Sequence, residues 1–158
     1  MSLMEEYQQA EHSLEVARLR RLLALRAMVA DGLTQRQIAN RLGISQPAVS
    51  QQLKASGMEV ARADPALLLD AAAPVLRQVA SERGYDKLAA FGSVVRGEAT
   101  DDSDVDLLVE PPAGTTITAL LDLQAMFSDI LGRDVDLVSY GGLSEALDGD
   151  IRREAVPL

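Results

Sequence analysis

"GSVVRGEATDDSDVDLLVE", residues 92–110, sets a glycine-serine pair ten residues ahead of two aspartates spaced i, i+2, and those aspartates run straight into Leu and Val. In a strand, side chains alternate faces, so Asp104 and Asp106 share one face, roughly 6.6 Å apart along the chain, while Val105, Leu107 and Val109 take the other. Ionised carboxylates held this close repel each other unless a cation is present or one of them takes up a proton. Taken alone the pair is equally a solvated acidic strand edge. Asp101 and Asp102, ahead of the strand, read as loop charges.

What lies on either side weighs against the solvated edge. Phe91 ends a strand, and Gly92-Ser93 turns into a short helix. Glycine lets a phosphate approach the backbone, the helix N-terminus offers free N–H groups and the Ser93 hydroxyl adds a donor. Arg96, one turn on, is placed to reach a phosphate oxygen. A third carboxylate comes from "RDVDLVS", whose strand pattern mirrors the first. Asp136 lies within that strand and Asp134 only at its start, so Asp136 is the better third acid, able to ligate metal and help deprotonate an acceptor hydroxyl.

The surrounding elements alternate in type. "DKLAAF", "SDVDLLVE" and "DVDLVS" read as strands. "PALLLDAAAPVLRQVASE" (65–82, kinked at Pro74), "TITALLDLQAMFSDIL" and "LSEALDGDIRREA" read as helices. Tyr85 and Tyr140 read as strand-end packing residues. The order predicts a small α/β or α+β unit. Its start is marked by Asp64-Pro65, after a break in the pattern around residues 58–64.

The N-terminal part is of another kind. Leu14, Leu19, Leu22, Leu23, Leu25, Met28 and Val29 recur at helical spacing from Ser13 to about Ala30. Thr34 then caps a short helix with Ile38 and Leu42 on one face, Gly43 closes it, and Ser45 caps the next. "GLTQRQIANRLGISQPAVSQQLKASG" resembles the helix-turn-helix of phage-repressor-like bacterial regulators. There Ala39 lets helices approach, Gly43 permits the turn and Ile44 anchors it. Gln46, Ser50 and Gln51 would face base edges, and Arg36, Arg41 and Lys54 would face phosphates. The competing reading is a helical hairpin used for dimerisation. Two DNA half-sites would require a homo-oligomer, most simply a dimer.

Charge supports two modules. Residues 13–57 carry seven basic groups against two acidic ones, and the rest carries eight against twenty-two, for a net charge of -9. With no cysteine, disulfides and thiolate metal sites are ruled out, and with one histidine, His12, in a loose N-terminal segment, zinc chemistry is not expected, which leaves hard cations bound by carboxylates. Nothing is apolar enough for a membrane span, and the polar start, "MSLMEEYQQA", is no secretory signal, so a cytoplasmic protein is expected. The leading "MSL" carries no weight in the fold.

Gly92-Ser93, ten residues, Asp104-Val105-Asp106 and then Asp136 resemble the nucleotidyltransferase superfamily of the DNA polymerase beta type, in its minimal (MNT) branch. The resemblance covers about residues 65–158, including the closing "DIRREAVPL". It implies a two-domain chain: an all-α helix-turn-helix unit, 1–60, then an α/β (α+β) nucleotidyltransferase-like unit, 61–158, with a small mixed sheet flanked by helices. It also implies transfer of a nucleoside monophosphate from an NTP, commonly ATP, with Mg²⁺ (two ions), releasing pyrophosphate. Gly92, Ser93 and Arg96 would hold the triphosphate, Asp104, Asp106 and Asp136 the metal, and Asp136 would activate the acceptor.

Only about twenty residues follow the third strand, so a partner or second copy is expected to complete the acceptor site. Minimal transferases of this family accompany HEPN-domain toxins, which implies an antitoxin that represses its own operon. Two alternatives stand beside this reading. One is a non-catalytic regulator using the fold to bind nucleotide or partner, and the other a transferase acting on a small molecule.

Overall fold

The computed structural model describes residues 1–144 and 148–158. Helices α1 (Leu3–Ala30), α2 (Gln35–Leu42), α3 (Gln46–Arg62) and α4 (Pro65–Glu82) come first. They are followed by β1 (Asp86–Phe91), the short α5 (Ser93–Arg96), β2 (Val105–Glu110), α6 (Ile117–Leu131) and β3 (Val135–Ser139). A 3-10 turn (Tyr140–Gly142), α7 (Gly149–Glu154) and β4 (Val156–Pro157) close the chain.

The sheet has the order β3-β2-β1-β4, with β2 and β3 parallel and both other pairings antiparallel. Parallel neighbours need a crossover, and α6 supplies it. One face of the sheet, with Leu88, Ala90, Leu107, Val109 and Leu137, packs into the main core against α4 and α6. The other face is only partly covered. Ala89, Phe91 and Leu108 meet Tyr140, Leu143, Ile151 and Ala155 at one end, and Asp106 and Asp136 occupy the other. Leu108 is fully buried on the carboxylate face, so "LLV" is a stretch of strand buried on both sides.

Helix α1 joins two cores. Val16, Leu19, Leu23 and Ala27 belong to the main core, whereas Leu25 packs with Ile38, Ala39 and Val49 of α2 and α3. The expected helices, strands and mixed sheet are present, with corrections at several places. The segment before Ser13, including the exposed His12, is helical from Leu3, because good helix formers follow a Ser2–Glu5 capping box. Residues 58–62, read as a break, continue α3 to Arg62, so positions 60 and 61 fall inside a helix.

Leu42 does not join Ile38 in the core, and Ile44 does not bury itself as the anchor of the turn: they are 48% and 39% exposed while Ile38 is fully buried. Ala39 and Val49 fill the space around Ile38 instead. The helix expected over 143–155 is resolved as α7 alone, with Leu143 and Ser144 outside any helix, and residues 145–147 lie outside the described residues. Strand β4 was not foreseen. It pairs Val156 and Pro157 with Ala90 and Ala89 at the sheet edge, where a proline's missing donor costs nothing.

Candidate functional site

Strand β2 begins one residue after Asp104, which leaves Asp104 exposed at its mouth and Asp106 half-buried inside it. Asp106 is paired in register with Asp136 of β3 on one side and with Phe91, the last residue of β1, on the other. Register partners share a face and adjacent strands lie about 4.8 Å apart, so the carboxylates of Asp106 and Asp136 are neighbours.

After Phe91 the chain turns at Gly92 with φ 77° and ψ -152°, a region essentially reserved for glycine. A Cβ at this position would sit 3.1 Å from Cγ of Asp106 and closer still to Oδ2. The glycine is therefore required twice, by its backbone angles and by the carboxylate lying over it. Ser93 opens α5 half-buried, and the N–H groups of Val95 and Arg96 both reach the Gly92 carbonyl at 3.2 Å.

Burial raises the Asp106 carboxyl above the ordinary carboxylate range, and the charges of Asp136 and Asp104 push the same way. Arg96 opposes them and Glu154 adds to them. Asp106 is thus the centre of one coupled acidic patch. Among the described residues, no three His, Cys, Asp or Glu side chains converge as a formed metal cage. The donor set nevertheless fits a hard divalent cation. It is all oxygen, and its central member carries an ionisation penalty that a cation would relieve.

Arg96 does not stand free. Its Nε donates to Glu98 at 3.0 Å and its Nη1 to Glu154 of α7 at 2.7 Å. Sequence reading did not single out Glu154. Its partner is 58 residues away, and no local pattern marks such a contact.

At the N-terminal end, Thr34 and Gln37 form a capping box on α2, and Gly43 closes that helix in the left-handed conformation at φ 70°. Ser45 caps α3. Arg36, Arg41, Gln46, Gln51 and Lys54 are exposed and Ser50 is half-buried. The Gln46 amide donates to Gln35 at 2.7 Å, bridging the starts of α2 and α3. Of the other basic groups counted in this region, Arg18 pairs with Glu59, Arg20 reaches the Ala71 carbonyl and Arg26 is turned inward. The outward positive surface is consequently narrower than the residue count suggests. Helix α3 leads into α4 and not into a β-hairpin wing.

A small mixed sheet bearing a glycine turn under an acidic patch is the arrangement of a nucleotidyltransferase, and the chain belongs to the polymerase beta nucleotidyltransferase family, whose model matches residues 76–157. A winged helix-turn-helix DNA-binding model matches residues 20–55. Protein adenylyltransferase MntA of Thermococcus cleftensis is 37% identical over 73 residues, 46% of this chain and 74% of that relative. A candidate protein adenylyltransferase of Methanocaldococcus jannaschii is 33% identical over 75 residues, covering 48% of this chain and 81% of its own length. A solved structure described as a candidate minimal nucleotidyltransferase superposes with a TM-score of 0.56 at 37% identity, covering 61% of this chain and 98% of that one. The chain is therefore a nucleotidyltransferase carrying a helix-turn-helix. No described helix is long and apolar enough to cross a membrane.

Proposed function

We propose that this chain transfers AMP from ATP to a hydroxyl of a partner protein and binds operator DNA as a dimer, in the manner of an antitoxin paired with a HEPN-type toxin. The helix-turn-helix unit is taken as residues 1–60 and the transferase unit as residues 61–158. The observation that carries the reading is Asp106, held between Gly92 and its register partner Asp136 with Asp104 at the strand mouth. The name of the Thermococcus relative agrees with it.

In this reading Asp104, Asp106 and Asp136 hold Mg²⁺, which when bound neutralises phosphate charge and lowers the barrier to attack. Gly92 keeps its backbone open to the triphosphate, and Ser93 donates to a phosphate oxygen. Arg96 contacts phosphate after exchanging at least one of its carboxylate partners. Asp136, exposed within β3, accepts the acceptor's proton. Arg36, Arg41 and Lys54 contact DNA phosphates while Gln46, Ser50 and Gln51 face the bases.

The test incubates the protein with labelled ATP, Mg²⁺ and the product of the adjacent open reading frame. Label is expected on that partner, and Asp104→Asn with Asp106→Asn should reduce it at least a hundredfold, as loss of an electrostatic catalytic element does. Undiminished labelling by the double variant would overturn the site. A second reading, a regulator that binds nucleotide without transferring it, is favoured by the double engagement of Arg96 with Glu98 and Glu154. ATP binding with no label on any acceptor would select it.

A further inference from the structure

Residues 1–15 are all exposed, and α1 first buries a side chain at Val16. Its N-terminal overhang approaches the body near its end, where His12 lies 3.9 Å from Asp70. An unsupported helix of about a dozen residues is marginal in water. The overhang also carries apolar groups: Leu3, Tyr7 and Leu14 are 89%, 67% and 66% exposed. With Ala10 they follow the 4-3-4 spacing of a coiled-coil seam, on a chain whose folded body does not use them.

We propose that this seam is where a second copy of the chain docks, antiparallel, as a short two-helix coil. The spacing is self-complementary in that direction, since Leu3 meets Leu14 of the second copy while Tyr7 meets the small Ala10. Charge selects the direction as well. A parallel pair would set Glu6 of one copy against Glu11 of the other across the seam, a like-charge contact. In the antiparallel register Glu6 lies opposite Ser13 and Glu11 opposite Met4. The overlap spans about 18 Å and ends where each body begins, so the two bodies stay clear of one another. The twofold axis passes between Gln8 and Gln9. This interface is independent of what the acidic patch does.

Light scattering on the full chain over a range of concentrations should show a dimer. Tyr7→Lys with Leu14→Lys should leave a folded monomer, because both positions lie outside the core, and its thermal midpoint should lose the dependence on protein concentration that a dimer shows. The chain has no cysteine, so introduced ones report direction cleanly. A mixture of Leu3→Cys and Leu14→Cys proteins should form the mixed disulfide, with Leu14→Cys alone forming none. A chain monomeric at every concentration, a double-lysine variant that remains dimeric, or Leu14→Cys linking to itself would each overturn the proposal.

Discussion

Asp106 is held above the ordinary carboxylate range by burial and by its acidic neighbours Asp136, Asp104 and Glu154, so its charged form destabilises the folded state. Between the reference value of 3.8 and the raised pKa, the folded chain binds a proton that the unfolded chain releases. Stability from this group is present at low pH and is lost as pH rises through the raised pKa. Asp106→Asn escapes the loss. Its thermal midpoint at pH 7 in metal-free buffer should exceed that of the wild type, and the difference should vanish below the ordinary carboxylate range. Added Mg²⁺ should raise the wild-type midpoint more than the variant's. A variant no more stable than wild type at pH 7 would count against the coupled patch. The i, i+2 spacing of the aspartates and the adjacent glycine were legible in the sequence because strand alternation and a turn are local. The closeness of Gly92 to Asp106 and the hold of Glu154 on Arg96 join residues from separate elements, and no spacing rule reports them.

Among the elements, α6 shows how one distant side chain finishes a helix. Its last turn leaves carbonyls without intrahelical donors, and Arg26 of α1 supplies them: Nε to Ile130 at 2.8 Å and Nη2 to Asp129 at 2.7 Å. The same guanidinium donates to Ser56 of α3 at 3.3 Å. A cation at a helix C-terminus also meets the favourable end of the dipole. Burial lowers the pKa of Arg26, against the opposing pull of Asp129. Arg26→Met keeps most of the stem but strands two carbonyls, which should cost about 1–3 kcal/mol. Urea unfolding should show it as a lower midpoint at unchanged slope, with faster amide exchange around Gly132. An unchanged midpoint would remove Arg26 from this role. The apolar run over residues 116–131 made α6 readable, as alternation did β1, β2 and β3. Strand β4 is two residues long and has no periodicity to read, and the late end of α3 is set by packing of Val60 in the main core.

On the scale of the whole molecule, α1 contributes to both cores from one continuous helix, so neither core can loosen without disturbing the other. The full chain should therefore unfold in a single cooperative transition. Leu23→Ala, at a fully buried position of the main core, should lower stability by about 2–5 kcal/mol. Amide exchange in α2 and α3 should accelerate together with that in α6. Two separated transitions, with α2 and α3 unaffected, would show the cores to be independent. Composition had announced two modules through their charge, but it carried no sign that they share a helix.

Only Ala63 and Asp64 separate α3 from α4. A module hung on a flexible tether has a reach that is a statistical average over many conformations. Here there is almost no slack, and the span from the helix-turn-helix to the acidic patch is a fixed length, as on a ruler. Whatever macromolecule engages that patch would be presented to the DNA at one distance and one rotational setting. Because α1 also packs in both cores, insertion of a few flexible residues at Ala63 would leave that spacing in place.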